Sequence, residues 1–290
     1  MLPPLRLSDA FRTRLDAFTS HIPGVADGRD DAVHGARVAV RRLREVVPLL
    51  GFEARAERKL SRRLRKITQR LGPLRELDVM CALIAECAEK TQGSSAVNAV
   101  GAAADRQRDE GRSATVKALS TKMERLALRL ERACQRLAAN EKRNRRAAAT
   151  RAGLWALDAR LVRRAKQLDD AIDRAACVYA PAQLHDVRIA LKKFRYAAEL
   201  WHDVEGRRAG ADISVLKAGQ DVLGRLHDLE GLIALARHVQ ASLTPPDLNT
   251  WRDLSRFVHS LEDECRQLHA RFVGIRHKLL GIARRLTVAA

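Results

Sequence analysis

The chain has 290 residues, of which 46% are hydrophobic, and its formal net charge is +19. This length allows one large domain or two of ordinary size, and this hydrophobic fraction excludes a globally disordered chain. The excess of 54 lysines and arginines over 35 acids points to a polyanionic partner: nucleic acid, an anionic membrane surface or a phosphate polymer.

Hydrophobic residues recur with a period near 3.6 along almost the whole chain, and no stretch alternates with period two for long enough to form a strand. We therefore predict an all-α fold. Glycine and proline are sparse and mark the expected helix breaks. These breaks are predicted at residues 21–31, 49–52, 71–73, 91–95, near Gly153, and at 180–183, 205–212, 223–224 and 243–249.

The first strongly charged helix is predicted to begin near Ala32, with Asp30 and Asp31 as its capping residues. Its text "HGARVAVRRLR" (34–44) contains one histidine, four arginines and no acid. At about 100° per residue, apolar and basic side chains fall on opposite faces. The apolar face holds Val33, Ala36, Val40, Leu43 and Val47, and the basic face holds His34, Arg37, Arg41 and Arg44.

A basic stripe opposite an apolar stripe is usually the solvated face of an amphipathic helix. Solvated faces normally mix acids with bases, whereas this stripe has no acid before Glu45. Arg37 and Arg41 are four residues apart, a spacing at which like charges cost stability. The pattern favours a binding surface.

The next helix adds to this charge, because residues 55–75 hold nine basic residues against the single acid Glu57. Its apolar stripe is Leu60, Leu64, Ile67 and Leu71, and opposite it lie Arg58, Arg62, Arg65, Lys66 and Gln69. A third basic run, "KRNRRAAATR" (142–151), is either a further basic surface or a flexible junction, and the residues favour neither.

The second half of the chain repeats the first. "HDVRIALKKFR" (185–195) aligns with residues 34–44 at an offset of 151, and residues 216–230 align with 64–78 at an offset of 152. Pro181 suits the first position of this second basic helix. We predict two repeats, 1–150 and 151–290, each a small helical bundle. The second helix carries the apolar stripe Leu184, Val187, Leu191, Phe194 and Ala198, opposite His185, Arg188, Lys192 and Arg195.

No enzyme or metal motif is present. The sequence contains no P-loop, HExxH or GxSxG motif and no acid cluster suited to magnesium. Arginines close to His34 and His185 disfavour a metal there, because cations repel one another. We therefore predict no metal, no cofactor and no catalysis.

The cellular location is predicted from the cysteines and the hydropathy. The five cysteines are odd in number and form no CxxC pair, which is typical of reduced thiols. The chain has no signal peptide and no apolar run of membrane-spanning length. We expect a soluble cytoplasmic protein with no membrane partner, and the pattern does not predict an oligomeric state.

The motifs resemble those of the CHAD domain, the conserved-histidine α-helical domain, over roughly residues 5–285. They are "HGARVAVRRLR" followed by "LGPLRELDV", and "HDVRIALKKFRY" followed by "LGRLHD". Two departures stand out: Glu76 follows Arg75 where the family more often has aspartate, and His227 occupies the position of Arg75 in the second repeat. Many members of the family carry an attached triphosphate-tunnel domain, whose pattern this sequence does not show. The resemblance therefore implies a stand-alone member.

The resemblance implies two pseudo-symmetric four-helix bundles with a basic groove or pore between them, binding of inorganic polyphosphate, and association with polyphosphate granules. The binding set carried over by position is His34, Arg37, Arg41, Arg44, Arg65 and Arg75, with His185, Arg188, Lys192, Arg195 and Lys217 in the second half. Arg62, Lys66 and Lys193 join this candidate set from the same basic stretches. The second half has fewer bases, so binding is expected to be uneven.

Three other functions stay open. Weak, non-specific nucleic-acid binding suits the charge, but only 4% of residues are aromatic, which leaves few platforms for base stacking. An enzyme of polyphosphate metabolism would shorten the polymer in the presence of a divalent metal. A purely structural helical protein would use its charge only for solubility.

Overall fold

A computed structural model describes residues 6–91, 94–110, 112–143, 147–175, 178–206, 210–243 and 247–289, without the side chains of residues 91, 112–114, 140–143, 147–150 and 289. Within these ranges the chain is helical and contains no strand, which confirms the all-α prediction. The helices are α1 (Leu7–Ser20), α2 (Ile22–Ala26), α3 (Asp30–Val46), α4 (Ala54–Thr91), α5 (Ser95–Asp109), α6 (Arg112–Arg143), α7 (Ala147–Ala175), α8 (Pro181–Glu205), α9 (Gly210–Ala241) and α10 (Leu248–Ala289), with a 3-10 turn at Val47–Leu49.

Three predicted helix breaks are wrong, because α4 continues through Pro73, α7 through Gly153 and α9 through residues 223–224. A proline inside a helix costs about 3 kcal/mol. In α4 the buried Leu71 and Leu74 flank Pro73, and burying two leucines recovers that cost at about 1.5–3 kcal/mol each. The break between α5 and α6 was not predicted.

The two basic helices begin differently from each other. The helix α3 starts at Asp30 after the extended Arg29, and no side chain caps it, so the predicted capping by Asp30 and Asp31 is wrong. Both carboxylates lie instead in the first turn, where the positive end of the helix dipole favours them. The prediction for α8 is confirmed, since Pro181 is its first residue.

The predicted apolar stripes of α3, α4 and α8 form the core. Every residue of these stripes is buried, from Val33 on α3 to Ala198 on α8. The helix α3 packs against α1 and α4, and α8 packs against α7 and α9, while α10 covers both α9 and α7. The basic faces of α3 and α8 lie on the opposite sides of these helices from the buried stripes.

Helices from the two halves of the chain also meet each other: α3 packs on α8, α4 on α9, and α5 on α9 and α10. The approach of α4 and α9 is close, because a Cβ added at Gly231 would lie 3.1 Å from Met80 Cε. Ion pairs join the halves, with 2.8 Å between Arg14 Nη2 and Asp203 Oδ2. The two halves are thus held in one arrangement, and their basic helices face one another.

Among the described helices, none is long and apolar enough to cross a membrane. The four cysteines in the described ranges are free thiols. Cys177 and, except for Arg151, the side chains of the basic run 142–151 lie outside the described residues.

Candidate functional site

Basic side chains of α3 and α8 converge at the meeting of the two halves. Arg37 interacts electrostatically with its own-helix neighbour Arg41 and, across the interface, with Arg188. Burial, together with the charges of these arginines, lowers the pKa of Arg37 to about 10. Burial is also the largest cause of the lowered pKa of Arg188. The like charges predicted from two separate stretches of sequence therefore share one site.

Lys192 is the most perturbed member of this group. Burial lowers its pKa to about 6, and the charges of Arg41, Arg188 and Arg37 act in the same direction, while Asp228 opposes them. A lysine ammonium is stable in such a place only when anions offset its charge. At pH 7 this amine is largely neutral in the free protein.

The helices α4 and α9 close the cluster from the other side. Arg75 on α4 lowers the pKa of His34, after burial as the largest cause, and Glu76 Oε1 lies 3.6 Å from Arg37 Nη2. On α9, burial and then the charge of Arg188 lower the pKa of His227 to about 4. The group formed by His34, Arg37, Arg41, Arg75, Arg188 and Lys192 is called the central cluster below.

The histidines of the second half sit together. The rings of His185 and His227 lie 4.9 Å apart between centroids, at an interplanar angle of 51°. In the first half, the corresponding neighbours are His34 and Arg75. In the second half the neutral imidazole of His227 therefore occupies the position that the charged guanidinium of Arg75 has in the first half.

Acids only partly balance the central cluster. Glu76 and Asp228 interact with its arginines, and Glu76 is largely exposed. Burial raises the pKa of Asp228, and its carboxylate interacts with Lys192. The Nε atoms of Arg37 and Arg188 are buried and find no hydrogen-bond acceptor among the described residues. Two donors and several uncompensated charges thus suit an oxyanion, whose oxygens accept charge-assisted hydrogen bonds.

A second group of bases continues the central cluster along α3. Arg44 interacts with Arg41 and with Arg65 of α4, and burial is the largest cause of its lowered pKa. Lys193 of α8 interacts with Arg44 and Arg65 as well. From His34 to Arg44 the rise along the helix is about 15 Å. The basic surface is therefore elongated rather than a single point.

Three candidate residues lie elsewhere. Arg195 is buried, where its Nε donates to Gln220 Oε1 at 2.9 Å, its Nη1 pairs with Glu199, and its guanidinium stacks on the Tyr196 ring. Arg62 and Lys217 are exposed on α4 and α9, and no interaction among the described residues joins them to the central cluster.

Lys66 is also separated from the central cluster. It lines a cavity between α4 and α6, whereas the adjacent Arg65 faces Arg44 and Lys193. Successive helical residues point about 100° apart, so neighbours in the sequence reach different surfaces.

Asp228 and Arg164 were missed in the sequence. Asp228 aligns with Glu76 at the same offset of 152 that revealed the repeat, so the alignment itself could have found it. Arg164 of α7 interacts with Arg44 and Lys193, and no pattern in the sequence connects α7 to α3. Among the described residues no group of three or more His, Cys, Asp or Glu side chains has the geometry of a metal site.

A model of the CHAD domain family matches residues 9–237 of this chain. PptA from Streptomyces chartreusis has a similar structure, with a TM-score of 0.59 and 18% identity over 92% of this chain and 96% of that chain. The crystal structure of the CHAD domain from the plant Ricinus communis has a TM-score of 0.58 and 22% identity, over 100% of this chain and 94% of that chain. These likenesses concern the fold. Comparison with curated proteins finds no match.

Proposed function

The chain belongs to the CHAD domain family, and from this premise we propose that it binds inorganic polyphosphate at the central cluster. The observation that carries the proposal is the crowding of Arg37 and Arg41 of α3 against Arg188 and Lys192 of α8 with few acids between them. Like charges held together in this way cost stability in the free protein. A bound polyanion offsets that cost, and the resemblance to the family names polyphosphate as the polyanion.

A linear phosphate chain matches the shape and chemistry of the surface. The bases extend from His34 to Arg44 along α3, and both walls carry guanidinium groups, which hold phosphate oxygens in a planar fork. The buried Nε donors of Arg37 and Arg188 gain acceptors when phosphate binds. Sequence-independent recognition follows, because every contact is with phosphate oxygen.

The paired positions support a duplicated unit with a basic groove between its two copies. Arg37 and Arg188 are related by the repeat, as are Arg41 and Lys192, and each pair meets in the central cluster. The packing of α7, α8, α9 and α10 around one another supports a four-helix bundle in the second half. The repeat boundary near residue 150 falls at the start of α7.

The two sides of the proposed groove differ in positive charge. His227 stands where the first half has Arg75, and its pKa of about 4 leaves it neutral at pH 7. Phosphate is therefore held more tightly by the first half. Arg195 is left out of the proposed binding set, since Glu199 and Gln220 already occupy its donors.

The proposed role is binding rather than catalysis, with the protein located in the cytoplasm and on polyphosphate granules. The carboxylates of the site, Glu76 and Asp228, each interact with an arginine of the site. Incubation with long-chain polyphosphate and Mg²⁺ or Mn²⁺ tests this part. Chain lengths that stay unchanged support binding alone, and shortened chains or released phosphate would overturn it.

The decisive experiment titrates the protein with long-chain polyphosphate, duplex DNA and RNA at matched phosphate concentration and physiological salt. The variant Arg37→Glu/Arg188→Glu is compared with Arg271→Glu/Arg284→Glu, which makes the same charge change at exposed positions of α10. We expect the first variant to lose affinity for polyphosphate by at least about 100-fold, since two charged contacts of about 1.5–3 kcal/mol each disappear. Affinity of the unmodified protein falls steeply as salt rises.

Two results would contradict the proposal. Equal affinity for polyphosphate, DNA and RNA would reduce the surface to a general binder of phosphate backbones. An equal loss in both variants would show that only net charge matters. Circular dichroism of each variant confirms that the helices remain folded.

A further inference from the structure

A second basic surface lies between α4 and α6. Six basic side chains line a cavity of roughly 280 Å³, whose remaining lining is the apolar pair Ile67 and Leu126. Both apolar residues are buried. The six basic residues, called the outer groove below, are Arg63, Lys66, Arg70, Lys122, Arg125 and Arg129.

The outer groove has two matched walls. Arg63, Lys66 and Arg70 follow one another at i, i+3 and i+7 on α4, and Lys122, Arg125 and Arg129 follow the same spacing on α6. Each row spans about 10 Å along its helix. The two helices pack against each other, so the rows face across a narrow trough with an apolar floor.

No acid lines the outer groove. Within the described part of the chain, none of its six bases forms an ion pair within 4 Å. Elsewhere on α6 a different pattern holds: Glu131 pairs with Arg12 of α1 at 2.5 Å. Lys66 and Arg70, like Arg125 and Arg129, are like charges at i,i+4, which cost stability without a local offset.

From this arrangement we propose that the outer groove is a second anion-binding site, which takes a short inorganic oligophosphate. Four guanidinium groups and two ammonium groups on facing walls surround a run of phosphates from both sides. The lining holds no aromatic side chain on which a base could stack, so a nucleic acid gains nothing there beyond its phosphates. A membrane surface is flat and reaches only the rims of a trough.

The outer groove is separate from the central cluster. The electrostatic partners of Arg37, Arg188 and Lys192 include no residue of the outer groove. The inference therefore stands whether or not the central cluster binds polyphosphate. If both sites bind phosphates, a long chain or two shorter ones can occupy them together, and avidity grows with chain length.

The test is calorimetric titration with sodium tripolyphosphate at fixed pH and salt. The variant Arg125→Glu/Arg129→Glu reverses one wall at exposed positions, and the new carboxylates face Arg63, Lys66 and Arg70, so the fold is retained. The matched control is Arg271→Glu/Arg284→Glu on α10, a helix that does not pack on α6. We expect the wall variant to lose one binding event, with affinity at that site lowered at least tenfold, while the control keeps it.

The central variant Arg37→Glu/Arg188→Glu separates the two proposals. Retention of one tripolyphosphate site in that variant supports the outer groove, whatever happens to long-chain polyphosphate. Loss of all tripolyphosphate binding there, or unchanged stoichiometry in the wall variant, would overturn the inference. Single-stranded RNA or phosphatidylserine vesicles that bind the outer groove more tightly than tripolyphosphate would overturn the assignment to an inorganic oligophosphate.

Discussion

The central cluster and the surroundings of Glu45 are neighbouring arginine-rich regions that differ in how closely a carboxylate pairs with the arginines. Glu45, 8% exposed, accepts from Arg160 Nε at 2.7 Å and from Arg164 Nη2 at 3.4 Å. Those two arginines are 18% and 17% exposed, and Arg37 of the central cluster is also 17% exposed. Equal burial therefore accompanies very different electrostatic surroundings.

The difference shows that a half-buried arginine does not by itself mark a binding site. Around Glu45 the counterion belongs to the protein, and the interaction ties α7 to α3. In the central cluster Arg37 and Arg188 face each other, with Glu76 at the solvent edge and the half-buried Asp228 beside Arg188. The first arrangement stabilises the fold, and the second leaves like charges close together with too few counterions to balance them.

The largest effect is expected when the ion pairs of Glu45 are removed. Replacement of Glu45 by glutamine leaves Arg160 and Arg164 without their counterion, and we expect the free energy of unfolding to fall by about 3 kcal/mol. Because Glu45 also interacts with Arg44 and Lys193, polyphosphate affinity of the folded protein rises, but by no more than about threefold. Urea denaturation measures the stability, with the exposed Glu53→Gln as control. A variant with unchanged stability and tenfold altered affinity would reverse the roles given to the two regions.

The next effect concerns the unbalanced region and its pH dependence. Lys192 has a pKa of about 6 in the free folded protein, whereas an unperturbed lysine has a pKa of 10.5. Between these values the unfolded chain therefore binds more protons than the folded chain. Stability therefore rises with pH through this window. We expect Lys192→Met to stabilise the protein by about 2 kcal/mol at pH 7, less as the pH approaches 10, because folding no longer requires this amine to lose its proton.

Ligand binding has the opposite pH dependence in the same window. Phosphate near Lys192 raises the pKa of its amine, so binding above pH 6 takes up a proton, and polyphosphate affinity falls by up to about tenfold per pH unit. The groups that interact with this amine include Arg37, Arg41, Arg188 and Asp228, together with the imidazoles of His34 and His227. Titrations at pH 6, 7 and 8 should show this slope in the unmodified protein and not in Lys192→Met. An equal slope in both would assign the proton to another group, with His34 as the first candidate.

The smallest expected effect sharpens the imbalance. Glu76 is 63% exposed and lies 3.6 Å from Arg37, so Glu76→Gln removes part of the compensation at the solvent edge. We expect polyphosphate affinity to rise about twofold to threefold, in keeping with the small energies of exposed ion pairs. Glu89→Gln, exposed on the same helix, is the matched control. Weaker binding by Glu76→Gln alone would show that this carboxylate positions Arg37 rather than competing with the ligand.

Periodicity predicted the stripes correctly and the helix ends less well. The apolar faces of α3, α4 and α8 follow from the 3.6-residue period, because burial of one face is a property of the local pattern. Pro73 misled the prediction of a break, since the energy that keeps α4 continuous comes from the packing of Leu71 and Leu74 against other helices. Tertiary contacts of this kind leave no mark in the local pattern.

The side chains of the site show the same division. The sequence aligned Arg37 with Arg188 and Arg41 with Lys192, and the two members of each pair interact electrostatically in the structure. It also grouped Arg65 with Lys66. In the structure Arg65 interacts with Lys193 of α8, whereas Lys66 lies beside α6. Arg195 looked equivalent to Arg44, but Glu199 and Gln220 take up its hydrogen bonds. The basic residues can be read from the sequence, whereas the acids and acceptors that pair with them depend on which helices pack together.

The sequence by itself therefore determined the all-α class, the two similar basic segments and the resemblance to the CHAD domain family, because each depends on residue order along the chain. Only the tertiary structure decided that the basic faces of α3 and α8 meet, that Glu45 pairs with two arginines of α7, and that α4 and α6 form a second basic trough. The physical reason is that electrostatic energies depend on distance and burial in space. Residues far apart in sequence set both quantities, and only the packing of the helices brings them into contact.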